Sequence, residues 1–385
     1  MDLDKIFLEG ACPTSIGGQA VMEGIMMRGP KKVALAVRTG DNEIRLKTKY
    51  GPRKSGWMKV PILRGIVAFW QSLVEGTRTL MDSATILEEA GLMEDENKED
   101  RAECYGKTGE INTEIESGTF SERIEARLRV KYGDKAAWNV MIYFSVIVAV
   151  IFSIGVFVLL PTWVIGLFKG IIHNSVALSF SEGIFRLIIF LAYIVAISYL
   201  DDIRRVFQYH GAEHKTIHCF EKGMDLTAEN AQSFYRLHPR CGTSFLVFVM
   251  IITLLVFPLM GWPDLWERLL SRIVLIPVIA GLSYEVLKWA GMSNSILVKT
   301  LSLPGIYLQK ITTREPDKSM LEVAIVAMKA VLPEENDTPL FDGIVDNNGS
   351  FLCVSEKGSG EAEENKASEC KVGDYNRGDQ NDNAC

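Results

Sequence analysis

The sequence predicts a mainly α-helical, polytopic membrane protein with about four transmembrane helices and a small N-terminal cytoplasmic unit that contains a β-hairpin. Two observations predict it. Four apolar segments each come near the roughly 20 residues that a membrane-spanning helix needs. Between 31 and 50, Val33, Leu35 and Val37, then Ile44, Leu46 and Thr48, alternate with other residues around the turn Thr39-Gly40-Asp41-Asn42, a hairpin pattern. The whole chain is 48% hydrophobic and 23% charged. That average hides very apolar blocks beside very polar ones, so only the local reading classifies the chain.

The net charge of -7 is also an average. Acidic residues crowd into 88–122 and 334–382, whereas the segments around the apolar blocks are basic. No basic stripe with interleaved aromatics occurs, so nucleic acid is excluded as a partner and the lipid bilayer is the expected one. A membrane-protein partner or a homo-oligomer stays open. Seven Cys at irregular spacing argue against a disulfide framework. Met1-Asp2-Leu3-Asp4-Lys5 lacks a basic region followed by an apolar core, so no cleavable signal peptide is expected.

In chain order, 1–60 reads as a cytoplasmic Gly-rich loop followed by the β unit. Four Gly between 16 and 30 let backbone approach closely. The segment is then either a loop packed on a site, with Glu23 and Arg28 as its polar groups, or a tight structural turn. The helix over 61–87 is amphipathic and too short in its apolar run to span. It is interfacial or re-entrant, or else a buried helix of the soluble unit. An acidic linker covers 88–122 and a basic amphipathic helix covers 123–136.

Transmembrane helices 1–2 fill 137–200, running from Ala137 to Phe168, with a break or tilt at Pro161, and from Gly183 to Leu200. The 201–241 segment reads as a helical hairpin that continues the second span, with Thr227 capping a return helix over Asn230. Transmembrane helices 3–4 fill 242–290, with Pro277 and Gly281 inside the fourth. Cytoplasmic helices follow in 291–332, a surface helix over 303–316 and a short amphipathic helix over 319–330, and 333–385 reads as a disordered acidic tail. Lys and Arg crowd the stretch before the first span, the 201–241 loop and the segment after the fourth. The positive-inside rule therefore puts both termini and that loop in the cytoplasm.

The candidate chemistry sits in that loop. The chain has five His, and His210, His214 and His218 recur at helical spacing with Glu213 and Glu221. These five side chains share an arc of roughly 140° on a helix. His-x-x-Glu-His is a pattern in which two His bind zinc and the Glu serves as base. A divalent metal, zinc for one, takes imidazole, thiolate and carboxylate ligands. The candidate ligands are His210, His214, His218, Glu221, His238 and Cys241. Glu213 is the candidate catalytic base, and Glu23, Arg28 and Arg240 are further candidates. A solvated helix face carrying His and Glu is the plainer alternative, and Gly211 costs that helix roughly 1 kcal/mol. Cys219 lies on the opposite helix face and reads as packing. Asp201 and Asp202 either bind a cation at a membrane mouth or, the plainer reading, mark the second span's exit into water, and Glu285 is either an intramembrane acid or one that reaches the interface.

Four motifs carry a resemblance: Gly17-Gly18-Gln19-Ala20-Val21-Met22-Glu23-Gly24-Ile25-Met26-Met27-Arg28-Gly29-Pro30, Glu213-His214-Lys215-Thr216, Leu237-His238-Pro239-Arg240-Cys241-Gly242-Thr243-Ser244-Phe245, and Thr312-Thr313-Arg314-Glu315-Pro316. With these, the chain resembles the YqhQ family of bacterial multi-pass membrane proteins, whose molecular function is not established. The resemblance reaches across about 16–330. It implies the membrane architecture, a place in the bacterial inner (plasma) membrane, and a metal-dependent enzyme. The function expected is then a metal-dependent enzyme, a hydrolase, at the cytoplasmic membrane face. An ion transporter or channel subunit is the first alternative, and a non-catalytic assembly or scaffold protein is the second.

Overall fold

The computed structural model describes residues 6–7, 12, 14–40, 43–51, 60–92, 134–292, 296–332 and 340–354. The chain forms two compact units: Met1–Leu92 with Leu191–Phe257 and Pro263–Cys385, and Met93–Phe190 with Pro258–Trp262. The expected acidic linker from 93 on, and the basic segment up to 133, lie outside the described residues.

The first unit is built on a six-stranded antiparallel sheet in sequence order. Its strands are β1 Gly17–Val21, β2 Gly24–Arg28, β3 Lys32–Gly40, β4 Glu43–Tyr50, β5 Asp342–Val345 and β6 Phe351–Val354. The hairpin expected over 31–50 is β3–β4. The Gly-rich segment is a second hairpin rather than a loop. Gly24 sits within it because any Cβ there would meet the Ala36 carbonyl of β3. The tail after 333 is not all disordered, since β5 and β6 extend the sheet from the edge of β4. Two four-residue strands in a polar context leave little periodic signal.

Both faces of the sheet are covered, which is why β3 is buried at consecutive positions. On one face, Ile25 opposes Ala36 and Ala36 opposes Leu46, and these join a core with helix α10 (Lys318–Lys329). Asp317 caps α10 by accepting from the Met320 amide at 2.9 Å. Nearly every α10 residue from Met320 to Met328 is buried, so the short helix expected over 319–330 is a core element. On the other face lies α1 (Leu63–Glu89). Lys47 and Lys49 of β4 reach its Asp82 and Glu75. The N-terminal turn of α1 packs instead on α8 (Leu265–Met292). There Gly65 faces Gly281 and Arg64 ion-pairs with Glu285, so Glu285 is not a free intramembrane acid.

The His-bearing helix is α5 (Asp201–Glu221). It does not continue the preceding helix. That one, α4 (Ser175–Ile197), ends first, and extended Leu200 (φ -72°, ψ 132°) starts α5 afresh. Asp201 and Asp202 occupy its first turn, where the helix dipole favours acids. Gly211 is required because the Arg314 carbonyl lies where a Cβ would stand, and the Arg314 amide donates to the Phe207 carbonyl at 2.8 Å. After α5 come the short return helix α6 (Ala228–Gln232), with Thr227 as its cap, and then α7 (Gly242–Val256). Helix α9 (Ile296–Thr312) packs along α7, with Gly305 against Ser244. Its inner face buttresses the core, while Leu301, Pro304, Tyr307 and Lys310 stay exposed on the outer face.

The second unit begins with α2 (Asp134–Ile154), which passes through a π-turn (Gly155–Leu159) into α3 (Leu160–Gly166). The chain does not break at Pro161. Proline has no N–H for the Phe157 carbonyl, and Arg186 of α4 donates its Nε–H to that carbonyl at 2.8 Å instead. Arg186 is ion-paired with Glu182, and Thr162 donates to Glu182 at 3.0 Å. Four helical segments are long and apolar enough to cross a membrane: Phe144–Gly170, Ser175–Ile197, Gly242–Met260 and Leu265–Trp289.

Candidate metal centre

Helix α5 presents His210, Glu213, His214, His218 and Glu221 inward, and the chain between α6 and α7 returns across them with His238, Arg240 and Cys241. The face is not solvated: His214 is 1% exposed, His218 2% and His238 4%. Two groups of three side chains could hold a metal ion: His210 with His214 and Cys241, and His218 with Glu221 and His238. Within each group the ligand atoms lie within 4.8 Å of one another.

In the first group, each imidazole is fixed by a backbone carbonyl. His210 Nδ1–H donates to the Thr312 carbonyl at 2.8 Å, and His214 Nδ1–H donates to the Arg236 carbonyl at 2.7 Å. Both Nε2 atoms therefore point to the interior of the cluster. This carbonyl-oriented tautomer is the one that metal-ligating imidazoles use. His210 Nε2 lies 3.1 Å from Cys241 Sγ. His214 Nε2 is buried without a hydrogen-bond partner, an orphan whose burial is costly unless something binds it.

Charges follow from this packing. Burial alone would lower His210, but the charge and hydrogen bond of Cys241, with Glu213 and the Thr312 carbonyl, hold it up at about 9. Burial alone would raise the Cys241 thiol, but His214 and His210 hold it well below its usual range. The metal-free centre is thus an imidazolium–thiolate pair. Glu213 is pushed up by burial, against the pull of His210 and His214. Its Oε1 accepts from the Gly18 amide at 2.9 Å, and its Oε2 is buried without a partner.

The second group is differently occupied. Glu221 takes the Arg240 guanidinium on both oxygens, and Thr14 donates to it through its amide at 2.9 Å and its hydroxyl at 3.1 Å. His238 Nδ1 accepts from the Arg240 amide at 3.3 Å, which leaves the proton on Nε2, 3.7 Å from Glu221. His218 Nε2–H donates to the Leu237 carbonyl at 3.0 Å, leaving its buried Nδ1 unpartnered. Burial and neighbouring His238 pull His218 down to about 3, and burial likewise pulls His238 well below the usual imidazole range.

Of the remaining candidates, Glu23 sits at φ 48° in the β1–β2 turn and grips Arg205 of α5, with the Tyr209 hydroxyl 3.3 Å away. It clamps the hairpin to α5 and does not enter the cluster. Arg28 lines a cavity of about 520 Å³ that opens onto His210, Glu213 and Cys241. Cys219 is buried packing that donates to the Met224 and Asp225 carbonyls, and burial raises its thiol to about 11.

The sequence reading missed Gln309. It is fully buried, accepts from the His238 amide and donates to the His238 carbonyl, both at 2.9 Å, so it pins the ligand loop to α9. A signal was present, because Gln309, Thr312 and Thr313 form a polar i, i+3, i+4 stripe on an apolar helix.

No solved structure matches the chain. The chain is 34% identical over 340 residues to the "Uncharacterized protein YqhQ" of Bacillus subtilis (strain 168), covering 85% of this chain and 96% of that one. A family model described as "Protein of unknown function (DUF1385)" matches residues 60–334, which takes in every His, Glu and Cys of both groups and leaves Gly18, Glu23 and Arg28 before it. On both grounds the chain belongs to the DUF1385 family.

Proposed function

We propose that the protein is a metal-dependent hydrolase at the cytoplasmic face of a bacterial plasma membrane, with one divalent ion, zinc, held by His210, His214 and Cys241. The observation that carries this reading is His214, whose buried Nε2 has no partner although its ring is locked in place from the other side. Two imidazoles and a thiolate form a donor set that suits zinc, and three protein ligands would leave a further ligand position for water or substrate. The Glu221 group suits a metal less well, because Arg240 already neutralises the carboxylate.

A divalent ion held there supplies Lewis acidity to an oxygen of the substrate. Glu213 does the proton work. Its Oε2 takes a proton from the attacking water and returns it to the leaving atom, while the Gly18 amide holds the carboxylate in place. The basic loops support the cytoplasmic orientation.

The transporter reading has less support, since Glu285 is paired with Arg64 and Asp201 and Asp202 serve the start of α5. A docking role for the His helix has less again, because its imidazoles are buried. The test is turnover of p-nitrophenyl phosphate and p-nitrophenyl acetate by metal-loaded protein in detergent. Glu213→Gln is expected to keep its metal and lose about a hundredfold or more in kcat. Equal turnover by Glu213→Gln would remove the base from the account.

A further inference from the structure

Strand β1 is the outer strand of the sheet and pairs only with β2. A two-residue turn joins Val21 to Gly24, and the pairs Gln19 with Met26 and Gly17 with Arg28 share the parity of that closing pair. Those residues turn their backbone groups toward β2, so Gly18 and Ala20 turn theirs outward. The Gly18 amide bears out this parity, because it donates away from β2 to Glu213 Oε1 at 2.9 Å. The Gly18 carbonyl and both backbone groups of Ala20 meet no partner among the described residues. Natural sheets blunt such an edge with charge or proline. Gly17-Gly18-Gln19-Ala20-Val21 carries neither.

The edge opens onto the cluster. Gly17, Gly18, Gln19 and Ala20 line the same cavity of about 520 Å³ as His210 and Glu213. Gly17 and Gly18 are exposed, and a Cβ at Gly17 would meet nothing within 4 Å, so a second backbone can approach there. Met26, Val206 and Phe207 give the cavity apolar walls for side chains. We infer that the β1 edge takes an extended polypeptide as an added strand, which makes a peptide the substrate class; this rests on the hydrolase reading for the chemistry at the cluster. The outward groups run acceptor, donor, acceptor from the Gly18 carbonyl to the Ala20 carbonyl. A polypeptide repeats the complementary groups at the same pitch, about 3.4 Å per residue. Such a strand passes Glu213, whose carboxylate sits on the Gly18 amide. Hydrolysis there bonds the water oxygen to the amide carbonyl carbon and breaks the C–N bond. Glu213 passes one water proton to the leaving nitrogen, and the second follows from the new acid, so the products are a carboxylate and an ammonium.

The test is calorimetric binding to the full chain in detergent, stripped of metal by chelation. The probe is a capped hexapeptide of alternating valine and alanine, set beside two derivatives N-methylated at alternate amides, odd or even. An added strand pairs through one set of amides only, so the two derivatives are expected to differ in affinity by roughly tenfold or more. Ala20→Pro, which lacks the outward N–H, is expected to bind the parent peptide roughly tenfold or more weakly. Equal binding of all three peptides to the wild type, or binding of none, would overturn the inference whatever Ala20→Pro does. A parent peptide that binds yet stays intact with metal-loaded protein would overturn its role as substrate. Failure of the hydrolase reading is read separately, by Glu213→Gln on the nitrophenyl esters.

Discussion

At the scale of single residues, the centre is defined by protons. In the metal-free protein the Cys241 sulfur beside it holds His210 up at about 9 despite burial, and His214 and His210 hold the Cys241 thiol well below its usual range. Nε2 of His210 cannot hold both a proton and a metal ion, so binding at neutral pH releases one proton. The sign is fixed: apparent metal affinity rises with pH, about tenfold per unit, and levels off above about 9. Competition against a chromophoric chelator at several pH values reads this directly, and a flat profile would contradict the imidazolium–thiolate pair. The ligand types were legible in the sequence, because three His on one helical stripe with His238 and Cys241 nearby single themselves out. Their division into two groups was not. It depends on which ring nitrogen each backbone carbonyl takes, and the carbonyls of Arg236, Leu237 and Thr312 carry no side-chain signature.

At the scale of elements, glycine was the most misleading residue. In the 16–30 segment it suggested a loop, yet Gly18 and Gly24 lie within strands because backbone or Glu213 packs against them. In α5, Gly211 looked like a weakness worth roughly 1 kcal/mol of helix propensity. The structure reverses that sign, since the Arg314 carbonyl fills the Cβ position. Gly211→Ala is therefore expected to destabilise the protein by about 1–3 kcal/mol through overpacking. A lower thermal midpoint would bear this out, and a higher one would mean that propensity decides. The spans and the β3–β4 hairpin were legible because periodicity and apolar length are local properties. The break at Leu200 was not, because the spacing of side chains runs on through it.

At the scale of the molecule, the centre joins distant parts of the chain. Glu213 is held by Gly18, His210 by Thr312 and His238 by Gln309, so the first hairpin, α5 and α9 must all be in place before the cluster exists. These long-range contacts are what a single sequence conceals, since composition along α9 shows a polar stripe but not its target. They also explain why Glu23 and Arg205 matter without touching the cluster, since their ion pair fastens the hairpin that presents Gly18 to α5. The most direct measurement of the account is metal content by mass spectrometry on detergent-purified protein, wild type beside His214→Ala and His218→Ala. About one divalent ion per chain is expected in the wild type and in His218→Ala, and its loss in His214→Ala. Wild-type protein that stays metal-free after incubation with zinc, manganese and iron, or metal that survives His214→Ala and leaves with His218→Ala, would contradict it.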